Sequence, residues 1–448
     1  MKYICLSLLA FATISASAQT TVKPDANISR MVDEVSSKNI ETIIRKLVNF
    51  KTRHTLSDTT SKTEGIGAAR NWIKAEYERY AAASNGRMKV TFDEFVQPKG
   101  NRIDKATPMK NVLAILKGTD TADKRVYIIS GHYDSRATDV MDAKSFAPGA
   151  VDDASGTAVS MELARVMAKR QFPATVIFMA VVGEEQGLYG SGNVAKRAKA
   201  EGWPIDAMLN NDIVGNTYGM ETGLKDNRSV RIFSEGVPAA ETEKEASIRN
   251  SVGGENDSPA RELARYIKEV GERYVEQLDV KLIYRRDRYL RGGDHTPFSQ
   301  QGFTAVRVTE MNEDFNRQHQ DVRKDKGTDY GDLPDFADYD YIQKVARMNL
   351  SVLANLALAP GRPQSVGIVT SGLTNKTQLK WEAPTSGKTP AGYYVLMRET
   401  ISPYWEKKFY VTGTSANIGY SKGNYLFAIQ AVDADGHESI PVFPKPVR

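Results

Sequence analysis

Acidic and imidazole side chains in this 448-residue chain recur directly after apolar runs and at glycine turns. The members of this set are His132, Asp134, Asp152, Glu184, Glu185, Asp212 and His295. Glu184 and Glu185 follow the apolar run 174–182 with only Gly183 between, so both can serve one site if the strand ends at that glycine. Carboxylate and imidazole groups are ligands for hard cations, and a packed core does not need them. The pattern therefore predicts a cation site.

Each motif alone also has a purely structural interpretation. His132 could be a hydrogen-bonded residue at a strand end, although Asp134 has the spacing of a carboxylate that orients a ligating imidazole. Asp152 and Asp153 could simply begin a helix, where acidic residues are common. In open α/β sheets, however, ligands bind at the carboxyl ends of the strands. Acidic or imidazole groups at four such ends together favour a functional site.

The segments that must position these residues alternate between strand and helix patterns. Helices are predicted over 28–49, 64–83, 156–169, 189–199, 258–277 and 339–358, and strands over 88–96, 110–116, 126–130, 174–182, 207–214, 230–233, 280–284 and 304–308. This alternation predicts an α/β fold with a mixed, largely parallel sheet flanked by helices on both faces. The α/β domain is expected to occupy residues 19–361.

The character of the sequence changes after residue 361. Helical periodicity disappears, and short alternating segments are separated by Gly, Ser and Asn turns. Residues 362–448 are therefore predicted to form an all-β sandwich domain, and Trp381 resembles a core position of fibronectin type III domains. Such a domain could dock on the rest of the chain or contact cell wall or carbohydrate.

Residues 1–18 have the pattern of a secretory signal peptide, with Lys2, a short apolar run and the small-residue site Ala16-Ser17-Ala18. The protein is therefore expected to be exported to the periplasm or the extracellular space. No later apolar run approaches transmembrane length, and the net charge of +5 is too small to indicate a nucleic-acid partner. The single cysteine, Cys5, leaves with the signal, so any metal must be held by His, Asp and Glu.

The chain resembles the zinc aminopeptidases of the M28 type. The motifs that carry the resemblance are Gly131-His132-x-Asp134-Ser135, Gly149-x-x-Asp152-Asp153-x-Ser155-Gly156, Gly183-Glu184-Glu185-x-Gly187, Asn211-Asp212 and Asp294-His295. The resemblance implies two Zn²⁺ ions per chain, bridged by Asp152. It assigns His132 and Asp212 to one ion, Glu185 and His295 to the other, Glu184 as the general base, and Asp134 to a place behind His132. It also implies a cis peptide bond between Asp152 and Asp153.

From this resemblance we expect a secreted di-zinc exopeptidase that acts on the N-terminus of peptides. Alternatives on the same scaffold are a carboxypeptidase or dipeptidase, and a glutaminyl cyclase, which uses a single zinc. Five filled ligand positions disfavour the single-metal cyclase. An alternative of another class is a binding protein on an inactive peptidase fold, which a complete ligand set also disfavours.

The sequence indicates the residues that select the substrate less directly than the metal ligands. Arg291 closes a basic run that also contains Arg285, Arg286 and Arg288, and this run is either a solvated loop or a wall that attracts carboxylates. Glu310 could receive a free α-amino group or lie at the surface. His319 falls where relatives carry a histidine near the substrate, and it is expected in the pocket.

Overall fold

The computed structural model describes residues 22–448, so the predicted signal peptide, residues 1–18, lies outside the described residues. Within residues 22–448, no helix is both long and apolar enough to span a membrane.

An eight-stranded mixed sheet forms the centre of the larger, N-terminal part. Its first strands are β1 (Met88–Gln97), β2 (Thr107–Leu116), β3 (Val126–His132), β4 (Thr175–Val181) and β5 (Ile205–Asn211). The hairpin β6 (Tyr218–Gly219) and β7 (Leu224–Lys225) precedes β8 (Ser229–Phe233), β9 (Asp279–Ile283) and β10 (Ala305–Glu310), and the hairpin β11 (Arg323–Asp325) and β12 (Thr328–Tyr330) follows. The strand order is β1-β2-β4-β3-β5-β10-β8-β9.

The four central strands β4, β3, β5 and β10 are parallel, which places their carboxyl ends at one edge. Each residue of β3 after Val126 is buried, as expected of a strand covered on both faces, whereas only Met88 and Asp93 are buried in β1 at the sheet edge. The predicted fold class, a mixed and largely parallel sheet flanked by helices, is confirmed.

Helices cover both faces of this sheet. They are α1 (Ala26–Asp33), α2 (Ser37–Val48), α3 (Gly65–Ala81), α4 (Ala154–Met167), α5 (Glu184–Gly187), α6 (Tyr189–Ala200), α7 (Glu243–Val252), α8 (Pro259–Tyr274), α9 (His295–Gln300) and α10 (Tyr339–Leu358), with 3₁₀ turns at Ala82–Ser84 and Pro334–Phe336. One hydrophobic cluster joins the sheet to α1–α4, α8 and α10, and a second joins it to α6 and α9. The single helix predicted over 28–49 is two helices, because the Ser36 side chain accepts a hydrogen bond from the Asn39 amide and starts α2 afresh.

The C-terminal residues form two smaller sheets that share one core. The strands are β13 (Gln364–Val369), β14 (Thr377–Glu382), β15 (Gly392–Glu399), β16 (Lys407–Val411), β17 (Ser415–Ile418), β18 (Tyr425–Val432) and β19 (Lys445–Val447). Their orders are β17-β14-β13-β19 and β16-β15-β18. Trp381 packs edge-on against Tyr393 between the sheets, with ring centroids 5.3 Å apart. The resemblance to fibronectin type III domains stays a prediction.

Buried ion pairs join these C-terminal sheets to α8 and the loop before it. Glu438 is fully buried. Its carboxylate oxygens lie 2.7 Å from Arg273 Nη1 and 3.1 Å from Lys408 Nζ. Arg398 Nη2 lies 2.7 Å from Asp257 Oδ1. Because removing either partner would leave a buried charge unpaired, these contacts favour one orientation of the C-terminal sheets.

Candidate metal centre

Parallel strand ends bring the predicted site residues to one edge of the sheet. His132 is the last residue of β3, and Asp212 directly follows β5. After β4 the chain turns at Gly183, whose φ of 75° is left-handed, and α5 begins at Glu184. The turn therefore ends the strand where the sequence required, and both glutamates lie next to the neighbouring strand ends.

Asp152 lies between two histidines. Its Oδ1 is 3.1 Å from His132 Nε2, and its Oδ2 is 2.9 Å from His319 Nε2. Asp212 Oδ1 is 4.0 Å from the first histidine nitrogen, and Glu185 Oε1 is 3.0 Å from the second. The result is two groups of potential metal ligands, His132–Asp152–Asp212 and Asp152–Glu185–His319, that share one carboxylate. The peptide bond after Asp152 is cis, as the family resemblance implied.

The donor set and its electrostatics fit zinc. Imidazole nitrogen and carboxylate oxygen are the donors that zinc accepts where thiolates are absent, and three protein ligands leave a coordination position open. Burial alone would lower the pKa of His319, but the carboxylates of Glu185 and Asp152 raise this pKa to about 10. This half-buried position thus favours a positive charge, as a cation site must.

Asp134 connects the two sides of the centre. Its backbone carbonyl oxygen lies 3.1 Å from His132 Nδ1, on the side of the ring away from Asp152. Its carboxylate accepts hydrogen bonds from the backbone amides of Glu184, at 3.4 Å, and Glu185, at 3.2 Å, and from the Thr55 hydroxyl, at 3.0 Å. Asp134 therefore orients the His132 ring and positions the glutamate turn, which suits the place behind His132 that the resemblance implied.

His295 belongs to neither group, and its assignment as a ligand is corrected. Its Nε2 lies 2.8 Å from the carbonyl oxygen of Arg286, at the start of α9. The second histidine of the centre is His319, which the sequence placed only in the substrate pocket. His319 has a left-handed φ of 56° in the long loop after β10, and sequence spacing could not show that this loop folds back over Asp152.

Glu310 is also placed differently from the prediction. It is fully buried at the end of β10, where its carboxylate accepts hydrogen bonds from the amides of Gly215, at 2.9 Å, and Asn216, at 2.5 Å. Burial raises the pKa of Glu310 well above its usual value. The residue supports the loop after β5 and does not line the cleft, so the prediction that it receives a substrate amino group is wrong.

A cleft of about 340 Å³ opens over the two groups. Glu184 and four members of the ligand groups line it, and Arg291 is also present. The full lining is Arg102, Arg136, Asp152, Glu184, Glu185, Leu188, Asp212, Arg288, Leu290, Arg291, Gly292, Gln318 and His319. The volume accommodates a few residues of a peptide.

Two residues that the sequence did not flag hold Asp152. Gln318 Nε2 donates a hydrogen bond to Asp152 Oδ2 at 3.0 Å. The buried Asp332 carboxylate accepts hydrogen bonds from the backbone amides of Val151 and Asp152. Burial raises the pKa of Asp332 to about 7. Gln318 lies between β10 and β11 and Asp332 follows β12, and no periodicity or motif distinguishes either from a surface polar residue.

Arg307 on β10 is a third unpredicted contact of the centre. Arg307 is fully buried. Its Nη2 lies 2.9 Å from Asp212 Oδ1, and its Nη1 lies 3.1 Å from Asp287 Oδ2. Burial would raise the pKa of Asp287, but Arg307 holds this pKa well below its usual range. The guanidinium thus fixes the Asp212 carboxylate in place from behind.

Replacing Arg307 is expected to destabilise the fold. Arg307→Met leaves buried carboxylates without their cation, so the free energy of unfolding should fall by about 3–5 kcal/mol. Denaturant unfolding of chelator-treated protein measures this loss without a contribution from metal binding. Arg45→Met is the matched control: Arg45 pairs with Asp335 at the surface, and its loss should cost under about 1 kcal/mol. Equal losses for the two variants would contradict the role given to Arg307.

Comparison with known proteins identifies the family of this chain. Residues 111–352 match the model of peptidase family M28. A probable zinc metalloprotease of Leptosphaeria maculans is 48% identical over 94% of this chain and 98% of its own length, and one of Pyricularia oryzae is 47% identical over 94% and 85%.

Solved structures share the fold. The Legionella pneumophila LapA aminopeptidase has a TM-score of 0.52 at 18% identity, covering 77% of this chain and 78% of that one. An aminopeptidase from Aneurinibacillus sp. strain AM-1 has a TM-score of 0.51 at 14% identity, covering 73% and 95%. At these identities the likeness concerns the fold alone. The family model and the relatives over nearly the whole chain show that this protein belongs to peptidase family M28.

Proposed function

We propose that this protein is an exported zinc-dependent exopeptidase that removes residues from the N-terminus of peptides. The observation that carries the proposal is the position of Asp152, whose two oxygens face two different histidines. A single bridging carboxylate of this kind suits a pair of cations. The relatives described as probable zinc metalloproteases support zinc as the metal.

The ligand set divides between two ions. His132, Asp152 and Asp212 would hold one zinc ion, and Asp152, Glu185 and His319 would hold the other. When bound, the two ions supply Lewis-acid activation of a water molecule and of the scissile carbonyl. Asp134 and Arg307 keep the ligands His132 and Asp212 in orientation.

Glu184 is the proposed general base. It lines the cleft beside the ligand Glu185 but belongs to neither group of ligands. Burial raises the pKa of Glu184 well above its usual value, in the direction that suits a proton acceptor. Glu184 would take a proton from the attacking water and then donate it to the leaving amine.

The size and charge of the cleft support cleavage at a chain end. About 340 Å³ accommodates a few residues of a peptide. Glu184, which belongs to neither ligand group, lines this space and offers an acceptor for a free α-ammonium group. Export is proposed from the signal-peptide pattern of residues 1–18.

The reaction is tested with matched peptides under metal control. Amino-acid amides with a free α-amino group should be hydrolysed, and their N-acetylated forms should react at least about tenfold more slowly because the ammonium contact is lost. A chelator should abolish activity and added Zn²⁺ should restore it. Activity that survives complete zinc removal would overturn the metal mechanism.

The main alternative on this scaffold is a carboxypeptidase, which the arginines of the cleft favour. It predicts the opposite selectivity, since N-acetylation would be tolerated and amidation of the C-terminus would not. A glutaminyl cyclase with a single zinc is disfavoured, because both groups have a full set of three donors.

A further inference from the structure

The cleft carries more positive charge than its surroundings neutralise. Four arginines line it: Arg102, Arg136, Arg288 and Arg291. Arg288 is paired with Asp287, at 3.0 Å, and with Glu313, at 2.6 Å. Among residues 22–448, no carboxylate lies within 4.0 Å of a side-chain nitrogen of the other three. These three unpaired arginines, Arg102, Arg136 and Arg291, are called the arginine rim.

The arginine rim comes from three separate loops that converge on one opening. Arg102 follows β1, Arg136 follows β3, and Arg291 follows β9. Arg102 Nη1 donates a hydrogen bond to the backbone carbonyl of Glu185 at 2.9 Å. This contact holds the guanidinium beside a proposed metal ligand. Arg136 donates to the carbonyls of Ala137, at 3.2 Å, and Thr138, at 3.1 Å.

Most of the donors on the arginine rim remain available. A guanidinium has five N–H groups, and the carbonyl contacts of Arg102 and Arg136 use only one or two of them. The contacts that do exist anchor these side chains at the cleft. A solvated basic loop would not require side chains from three loops to be held at the same opening.

The formal charges of the cleft leave the arginine rim uncompensated. The four carboxylates that line it, Asp152, Glu184, Glu185 and Asp212, would be balanced by the two divalent ions proposed above. Three guanidinium groups then remain around the opening. Arg136 is half-buried and Arg102 and Arg291 are exposed, so salt screens part of their attraction for an anion. Such an arrangement attracts an anion, and planar guanidinium groups bind carboxylates through paired hydrogen bonds.

We propose that the arginine rim selects peptides that carry a carboxylate next to the scissile bond. The inference rests on the peptidase function proposed above and specifies its substrate class. The carboxylate can belong to an acidic side chain or to the C-terminus of a very short peptide. Both sources present the same group to the rim, and they are distinguished experimentally.

Two substrate pairs test the proposal with the zinc-loaded full-length enzyme. Glu-Ala-amide against Gln-Ala-amide reports on a side-chain carboxylate, and Ala-Ala against Ala-Ala-amide reports on a terminal one. In one of the pairs the acid should exceed the neutral partner by about 10–100-fold in kcat/KM, mainly through a lower KM. Arg102→Gln, Arg136→Gln and Arg291→Gln should each reduce this ratio several-fold.

Arg79→Gln is the matched control, because Arg79 is an exposed arginine on α3 that pairs with Glu76 and does not line the cleft. It should leave the ratio unchanged. Raising the ionic strength should reduce the preference of the wild-type enzyme, since part of the attraction is screened by salt.

The outcomes separate this proposal from the proposed function. Hydrolysis with equal rates for acid and neutral partners in both pairs would overturn the arginine rim and leave the peptidase standing. If no peptide is hydrolysed, calorimetric titration with N-acetylglutamate and N-acetylglutamine decides the matter. Tighter binding of the acid that weakens in the Arg102→Gln and Arg136→Gln variants would support the rim, and equal binding would overturn it.

Discussion

Glu184→Gln is expected to reduce kcat by about 10²–10⁴-fold and to leave the bound metal unchanged. The carboxamide has nearly the shape of the carboxylate but cannot accept the proton of the attacking water. Because Glu184 belongs to neither group of potential ligands, the proposed metal sites should keep their affinity. The measurements are kcat on an amino-acid amide and elemental analysis of the same protein sample.

The adjacent glutamate provides the matched control for this prediction. Glu185→Gln replaces a member of the Asp152–Glu185–His319 group, so it should lower metal content as well as kcat. The two substitutions are chemically identical and one residue apart, so only their roles differ. Metal loss in Glu184→Gln, or full metal retention with normal kcat, would contradict the assignment of the base.

The sequence predicted those site residues that follow central strands. His132, Glu184 and Asp212 each stand directly after or near the end of a buried apolar run, and parallel strands bring such ends to one edge. The apolar runs also predicted the sheet and its covering helices, because central strands must be apolar on both faces. Local pattern and global fold agree at these positions.

The residues that the sequence missed reach the centre through tertiary contacts of irregular segments. Gln318 and His319 lie in the loop between β10 and β11, and Asp332 follows β12; no hydrophobic period describes the path of either segment. In the sequence, Arg307 is a single charged residue within an apolar strand. Only its contact with Asp212 in the folded chain indicates its function. Glu310 is the opposite case. It is a charged residue at a strand end, but its carboxylate is buried and accepts hydrogen bonds from the neighbouring loop.

The choice between the two histidines can be decided by counting metal ions. His319 Nε2 lies 2.9 Å from Asp152 and 3.0 Å from Glu185, whereas His295 Nε2 faces the carbonyl of Arg286. His319→Ala removes one of three protein donors from its group, so that group should lose more than about 100-fold in metal affinity. Bound zinc should then fall from about two ions per chain to about one, with kcat reduced accordingly.

His295→Gln is the control, because glutamine retains a side-chain amide donor for the Arg286 carbonyl while removing the imidazole. It should keep about two zinc ions, and the circular dichroism of both variants should match that of the wild-type protein. Loss of zinc in His295→Gln with retention in His319→Ala would restore the assignment made from the sequence motif. Loss in neither would mean that this group does not hold an ion, and Asp152 would then bridge nothing. The metal count thus tests the feature from which the catalytic proposal is built.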